Sequence, residues 1–240
     1  KARLRTLIKK ELMQDAETYG DDRRSKIVVR QEARAFSERD LMSNDPITVV
    51  LSENGWVRAA KGHDVKVEEL SYRSGDQFQA AALGKSNQTA VFFDSVGRSY
   101  ALAAHLLPSA RGQGEPLTGK LNPPPGSRFT GLILDEPEQK YLIVSDAGYG
   151  FIGRVEDMIS KNKAGKSYLS VPNGAQSMSP YRVDALEDQL IAAFTTEGRL
   201  LIFQAKELPE LGRGKGNKLI NIPSAALKNR TEFLGHVIIF

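Results

Sequence analysis

The chain has 240 residues, 40% hydrophobic and 26% charged, with a formal net charge of +4 and a pI near 9.2. This is ordinary for a globular protein with a substantial core, and such mild basicity is by itself weak evidence for a polyanionic partner. The absence of cysteine excludes a disulfide frame, a thiolate metal site and a cysteine nucleophile, and points to a reducing cytoplasm. No apolar run approaches the roughly 20 residues that cross a bilayer, and the opening KARLRTLIKKEL has no signal-peptide core.

Residues 1–20 predict one helix and its stop. Leu4, Leu7, Ile8 and Leu12 form an apolar stripe at helical spacing, and Gly20 ends it. The chain starts without an initiator Met, so this helix reads as the end of an upstream domain; a helix packed on the flank of the later β units is the alternative. Residues 21–46 are charge-dense and balanced in sign, a connector with a short predicted helix near Arg30–Phe36.

Residues 47–240 predict an all-β domain. ITVVLS, Asn54-Gly55 and WVRAA make the clearest hairpin, because Asn-Gly suits a two-residue turn with positive φ. FQAAAL, AVFFDS and LILDE come next as strands, with a rigid corner at Pro123-Pro124-Pro125-Gly126 and others at Pro172, Pro180 and Pro223. LIVSDAGYGFIG and then LIAAFTTEGRLLIF repeat the hairpin; Leu219–Ile222 and HVIIF read as further strands. HVIIF has no predicted partner after it. It belongs either to a trimmed further unit or to a strand closing back on a preceding blade.

The hairpins recur in phase. The turn glycines Gly55, Gly97, Gly148 and Gly198 lie 42, 51 and 50 positions apart, and Pro108 and Pro209 each fall 11 positions after their glycine. A basic residue opens a glycine loop 14, 15 and 15 positions on, at Arg111, Lys163 and Arg213. A period near 50 built of short strands signals a propeller-like array of about four units. The first unit departs from the pattern: Leu70 stands 15 positions past Gly55, and Arg58, Lys61 and Gly62 are its nearest substitute.

Catalytic readings fail. Gly84-Lys85-Ser86 and Gly165-Lys166-Ser167 resemble the end of a phosphate-binding loop, but the glycine it needs is replaced by Gln79 and Ser160. The three histidines lack metal-ligand spacing, and no G-x-S-x-G elbow occurs. What remains is the recurring loop: glycine lets the backbone approach a phosphate, and flanking Lys/Arg supply charge that positions DNA without reading sequence. The candidate contacts to double-stranded DNA are Arg58, Lys61, Arg98, Arg111, Lys120, Lys163, Lys166, Arg199, Arg213, Lys215 and Lys218. No metal or catalytic residue is assigned.

The stretches KARLRTLIKKEL, YGDDRRS, GWVRAAKGHD, GKSNQ, SARGQGEPLTGKL, SDAGYGF and KGNKLINIPSA resemble the C-terminal domain of the A subunit of bacterial DNA topoisomerase IV, a type IIA topoisomerase related to the gyrase A subunit. The resemblance implies a β-pinwheel whose blades exchange strands and whose basic rim binds and bends DNA for decatenation and supercoil relaxation. The helix and Asp22-Arg23-Arg24 are then the end of the cleavage core and the start of the connector. It also implies ATP and Mg2+ for the full enzyme only. The implied partners, through absent parts, are a second A subunit plus the B subunit, and the implied place is the nucleoid of the bacterial cytoplasm. Close relatives usually have five blades. The gyrase box with paired arginines is degenerate here at Ala110-Arg111-Gly112-Gln113-Gly114 and Gly212-Arg213-Gly214-Lys215-Gly216, which disfavours a complete DNA wrap, and no Arg-Tyr pair carries a cleavage tyrosine. The competing reading is a protein-docking scaffold, using either the acidic third unit (Asp135, Glu136, Glu138, Glu156 and Asp157) or the rim to recruit a chromosome-organising partner.

Overall fold

The computed structural model describes residues 2–21 and 43–240. The chain divides into two units, residues 1–36 and 37–240, each described by itself. Most of the predicted connector, including the helix expected near Arg30–Phe36 and Asp22-Arg23-Arg24, lies outside the described residues. In the first unit α1 (Ala2–Tyr19) forms as the stripe predicts and buries none of its residues; Leu4, Leu7, Ile8 and Leu12 are all exposed.

The second unit runs through β1 (Pro46–Ser52), β2 (Trp56–Lys61), β3 (Phe78–Lys85), β4 (Thr89–Asp94), β5 (Arg98–Ala103), β6 (Glu115–Pro116), β7 (Phe129–Leu134) and β8 (Lys140–Ser145). It continues through β9 (Tyr149–Arg154), the short helix α2 (Val155–Met158), β10 (Lys166–Ser167), β11 (Tyr181–Val183), β12 (Leu190–Thr195), β13 (Leu200–Gln204), β14 (Asn217–Lys218), α3 (Ser224–Lys228) and β15 (Leu234–Ile239). These strands form four antiparallel sheets, the blades, in the orders β3-β1-β2-β6, β10-β5-β4-β7, β11-β8-β9-β14 and β13-β12-β15.

The blades are held by three cores, one between each consecutive pair. Val49, Leu51 and Val57 meet Ala90, Phe92 and Tyr100 in the first. Val91 and Phe93 meet Ile143 and Phe151 in the second, and Val144 and Ile152 meet Ile191 and Ala193 in the third. Side chains alternate across a strand, so Phe92 faces one neighbour and Phe93 the other. That is why β4 and β8 read as unbroken apolar runs: both faces of a middle blade are covered, and no blade buries its faces alone.

Strand exchange fixes the repeat. After the second, third and fourth hairpins the chain crosses to the preceding blade and adds a short strand to its outer edge: β6 joins β2, β10 joins β5, and β14 joins β9. The turn-glycine carbonyl receives it each time. Gly55 accepts from the Leu117 N–H (2.9 Å), Gly97 from the Tyr168 and Leu169 N–H groups (3.0 and 3.1 Å), and Gly148 from the Leu219 N–H (2.8 Å). Leu117, Tyr168 and Leu219 then plug the inter-blade cores, none more than 2% exposed.

The Leu-Pro corners set the crossing. The Ala59 N–H donates to the Pro108 carbonyl (2.8 Å) and the Ile152 N–H to that of Pro209 (3.0 Å), which locks the spacing of 11 seen in the sequence.

Two expectations change. The strand expected at Leu219–Ile222 lies just before it, at Asn217–Lys218; Leu219, Ile220 and Ile222 are buried by packing, without ladder pairing. HVIIF contributes to β15, which pairs with β12 inside the fourth blade. The exception of the first unit also finds its cause. Every basic loop serves the blade before the hairpin it succeeds, so the first blade receives Arg111–Gly114, and residues 62–77 fold over its outer face. There the Thr48 hydroxyl donates to the Gly62 carbonyl (2.7 Å), and Tyr72 stacks on Arg58.

Candidate nucleic-acid interface

The three basic loops stand at topologically equivalent places, along the outermost edges of three successive blades. Glycines make the crossing possible. Gly216 has φ +75° and a side chain there would run into the Gly150 carbonyl at 2.0 Å, while Gly165 (φ +66°) abuts Tyr100 and the Ser99 carbonyl.

Each loop is braced by the blade on which it docks. In the first, the buried Arg58 donates from Nη1 to the Ser71 (2.9 Å) and Gly112 (3.1 Å) carbonyls, its other Nη group unpartnered. In the second, Arg98 donates from Nε to the Ala164 carbonyl (2.9 Å) and from Nη2 to that of Gly165 (3.1 Å). In the third, the Tyr149 ring carries the Lys215 ammonium 3.7 Å from its centroid and that of Lys218 at 5.6 Å; Lys218 also donates to Asn221 (3.0 Å).

The sequence-predicted cations therefore divide. Lys61, Arg111, Lys163, Arg213, Lys215 and Lys218 are exposed and Lys166 is half-buried, and no carboxylate of the described residues pairs with any of them. Arg58 and Arg98 spend their guanidinium groups on loop carbonyls, so they shape the rim instead of presenting charge on it. Lys120 lies 3.2 Å from Glu115, and Arg199 grips Glu232 (2.6 Å from Nε). That bond holds the Glu232 carboxyl below the ordinary carboxylate range. Both cations are neutralised where they stand.

Sequence reasoning missed Tyr149, and it left Arg73, which stacks on Trp56 (4.2 Å), and the exposed Lys161 and Arg128 outside the set. A signal existed for Tyr149: it follows its turn glycine directly, as Trp56 follows Gly55. The two GKS tripeptides lie at a strand end and a strand start, with no helix for a phosphate to cap. Among the described residues no group of three His, Asp or Glu is placed to hold a metal ion, and no helix is long and apolar enough to cross a membrane.

Three of the five acidic residues singled out in the third unit are engaged within the domain. Asp135 accepts from Arg182 and from the Tyr141 hydroxyl (3.0 Å), Glu136 accepts from the Gln88 amide (2.8 Å), and Glu156 faces Arg154 at 3.8 Å.

No protein-family model matches the chain. It is 58% identical over 233 residues to the DNA topoisomerase 4 A subunit of Pseudomonas aeruginosa, covering 97% of this chain and 31% of that relative. The chain thus spans about a third of the length of the curated relatives it matches. Among solved structures it is similar to the E. coli ParC C-terminal domain, with TM-score 0.75 and 48% identity over 81% of this chain and 79% of that one. A DNA gyrase A C-terminal domain shares the fold at 18% identity, with TM-score 0.60, over 81% of this chain and 66% of that one.

Proposed function

The chain belongs to the family of bacterial DNA topoisomerase IV A subunits, as their C-terminal β-pinwheel, and from that premise we propose that its rim binds and bends double-stranded DNA through the phosphate backbone. The observation that carries this reading is the recurrence, on the outer edges of three successive blades, of glycine-borne cations without carboxylate partners among the described residues. Lys61, Arg111, Lys163, Lys166, Arg213, Lys215 and Lys218 are the contacts, with Lys161 added. Arg58 and Arg98 act behind them.

A duplex gains from such a rim by releasing condensed counterions. If it engages about six of these cations, the slope of log affinity against log salt is about −5, a loss of about 10³ in affinity between 50 and 200 mM salt. Following several blades bends the DNA, at about 1–6 kcal/mol for 40–90° over a short site, so several loops must engage together. No base edge needs to be read. In the longer relatives this module would present duplexes to a cleavage core for ATP- and Mg2+-dependent strand passage with the B subunit, unlinking chromosomes in the bacterial cytoplasm. The protein-docking alternative has less support, because Asp135, Glu136 and Glu156 of the acidic set already have partners within the domain.

A fluorescence-anisotropy salt titration with a labelled duplex tests this. The double variant Arg213→Glu/Lys215→Glu should bind several-fold more weakly, with a slope shallower by about 2, and unfold at the wild-type temperature. Duplex binding that ignores both salt and this variant refutes the proposal.

A further inference from the structure

One position recurs in all four blades: the residue directly after the turn glycine, which opens the second strand of the first three hairpins and immediately precedes it in the fourth. It is Trp56, Arg98, Tyr149 and Arg199 in turn. The structure gives these four residues two different jobs. Trp56 and Tyr149 are half-buried aromatic rings, and each seats exposed cations: Arg73 at 4.2 Å, and Lys215 and Lys218 at 3.7 and 5.6 Å. A ring attracts a cation through its quadrupole but carries no net charge. The seated groups therefore keep their full positive charge and lose only some of their freedom. Arg98 and Arg199 spend their own charge on groups of the protein itself. Arg98 clamps the Ala164 and Gly165 carbonyls, and Arg199 is neutralised by Glu232.

We propose that this single position sets how much duplex each blade carries: blades one and three hold DNA through the aromatic-seated Arg73, Lys215 and Lys218, the second contributes through Lys163 and Lys166, and the fourth is silenced by Glu232. The inference rests on the DNA-binding reading above and deepens it. Tyr149 is a positioning residue. It lies beside Lys218 by strand pairing (Lys218↔Tyr149) and beneath Lys215 by the turn at Gly216, so one ring fixes two ammonium groups. Long lysine side chains otherwise lose rotamer freedom on binding a phosphate, and a seat formed beforehand removes part of that cost. The fourth blade has the opposite design. Arg199 occupies the same place after Gly198, yet Glu232, itself buried, meets its guanidinium at Nε and Nη2.

The test uses the full 240-residue chain and a labelled duplex in a salt titration, with Tyr149→Phe, Tyr149→Leu and Glu232→Gln. Tyr149→Leu should weaken binding about two- to fivefold while leaving the salt slope in place, because the charges remain and only their seat is lost. Tyr149→Phe, which keeps the ring, should bind as wild type does; a merely structural role for the hydroxyl or for bulk would not give that split. Glu232→Gln frees Arg199 and should tighten binding, steepening the slope by about 0.9. Wild-type binding unaffected by Tyr149→Leu, or Phe and Leu equally impaired, or a Glu232→Gln variant no tighter than wild type, overturns the inference while leaving the DNA reading intact. A wild-type chain with no salt-dependent duplex binding overturns the DNA reading itself.

Discussion

Replacing turn glycines by alanine separates the cost of backbone strain from the cost of evicting an exchanged strand. Gly97 and Gly198 hold nearly the same conformation, φ +83° and +80°, in equivalent turns. An L-residue there costs about 1–2 kcal/mol. At Gly198 nothing lies within 4 Å of the added methyl, so Gly198→Ala should cost only that. At Gly97 the methyl would sit 2.1 Å from the Leu169 carbonyl oxygen, and 2.9 Å from Val171. Relief requires moving β10 outward, which breaks the bonds from the Tyr168 and Leu169 N–H groups to Gly97 at about 1 kcal/mol each and loosens the Tyr168 ring in its core. Gly97→Ala should therefore cost at least about 3–4 kcal/mol. Gly148→Ala should fall in between, since its neighbour, the Ile220 carbonyl, is 2.9 Å away; Gly55→Ala should come next, because the Phe129 ring at 3.1 Å is able to shift. Urea unfolding followed by circular dichroism reads the series, supported by amide hydrogen exchange at Lys166 to Leu169. Equal losses at Gly97 and Gly198 would show that the exchanged strand is not what the turn glycine accommodates, and strand exchange would no longer explain the repeat.

Two further outcomes follow from particular contacts. Tyr100, Tyr141, Tyr168 and Tyr181 are all held above the ordinary tyrosine value near 10, chiefly by burial, with Asp94 and Asp135 adding to the first two. A raised folded value means that the stability tied to these phenols is complete below pH about 10 and is lost as pH climbs from there toward the folded values. Absorbance at 295 nm should show these four ionising late and together with unfolding; smooth independent titration near pH 10 would contradict the burial argument. Arg98→Leu should release the loop at Lys163–Lys166 from its carbonyl clamp, so trypsin should cleave after Lys163 several-fold faster with little change in the melting temperature. A cleavage rate equal to wild type would remove Arg98 from its bracing role.

The turn glycines, the Leu-Pro corners and the basic loops were legible because strand exchange imposes fixed spacings on the sequence. The direction of the exchange was not. Whether a loop docks on its own blade or on the one before is a long-range matter, and without it the first unit looked like an exception. Among the candidate contacts, charge alone could not tell Arg111, which is exposed, from Arg58, which is buried under Tyr72 with its guanidinium on two carbonyls. The neutralisation of Arg199 depends on Glu232, 33 positions away and brought back by β15. Leu219–Ile222 misled for a related reason: its apolar residues serve packing between blades, and composition does not distinguish that from a ladder.

Strand exchange in one direction also dictates an order of events during synthesis. Gly55 waits 62 residues for Leu117, while Gly97 and Gly148 each wait 71, for Tyr168 and Leu219. At about 5–20 residues per second, each of the first three hairpins leaving the ribosome spends about 3–14 s with one edge bare. Over these three modules the nascent chain is one module behind its own completion, and a pause in translation prolongs the life of an adhesive strand end open to any passing polypeptide.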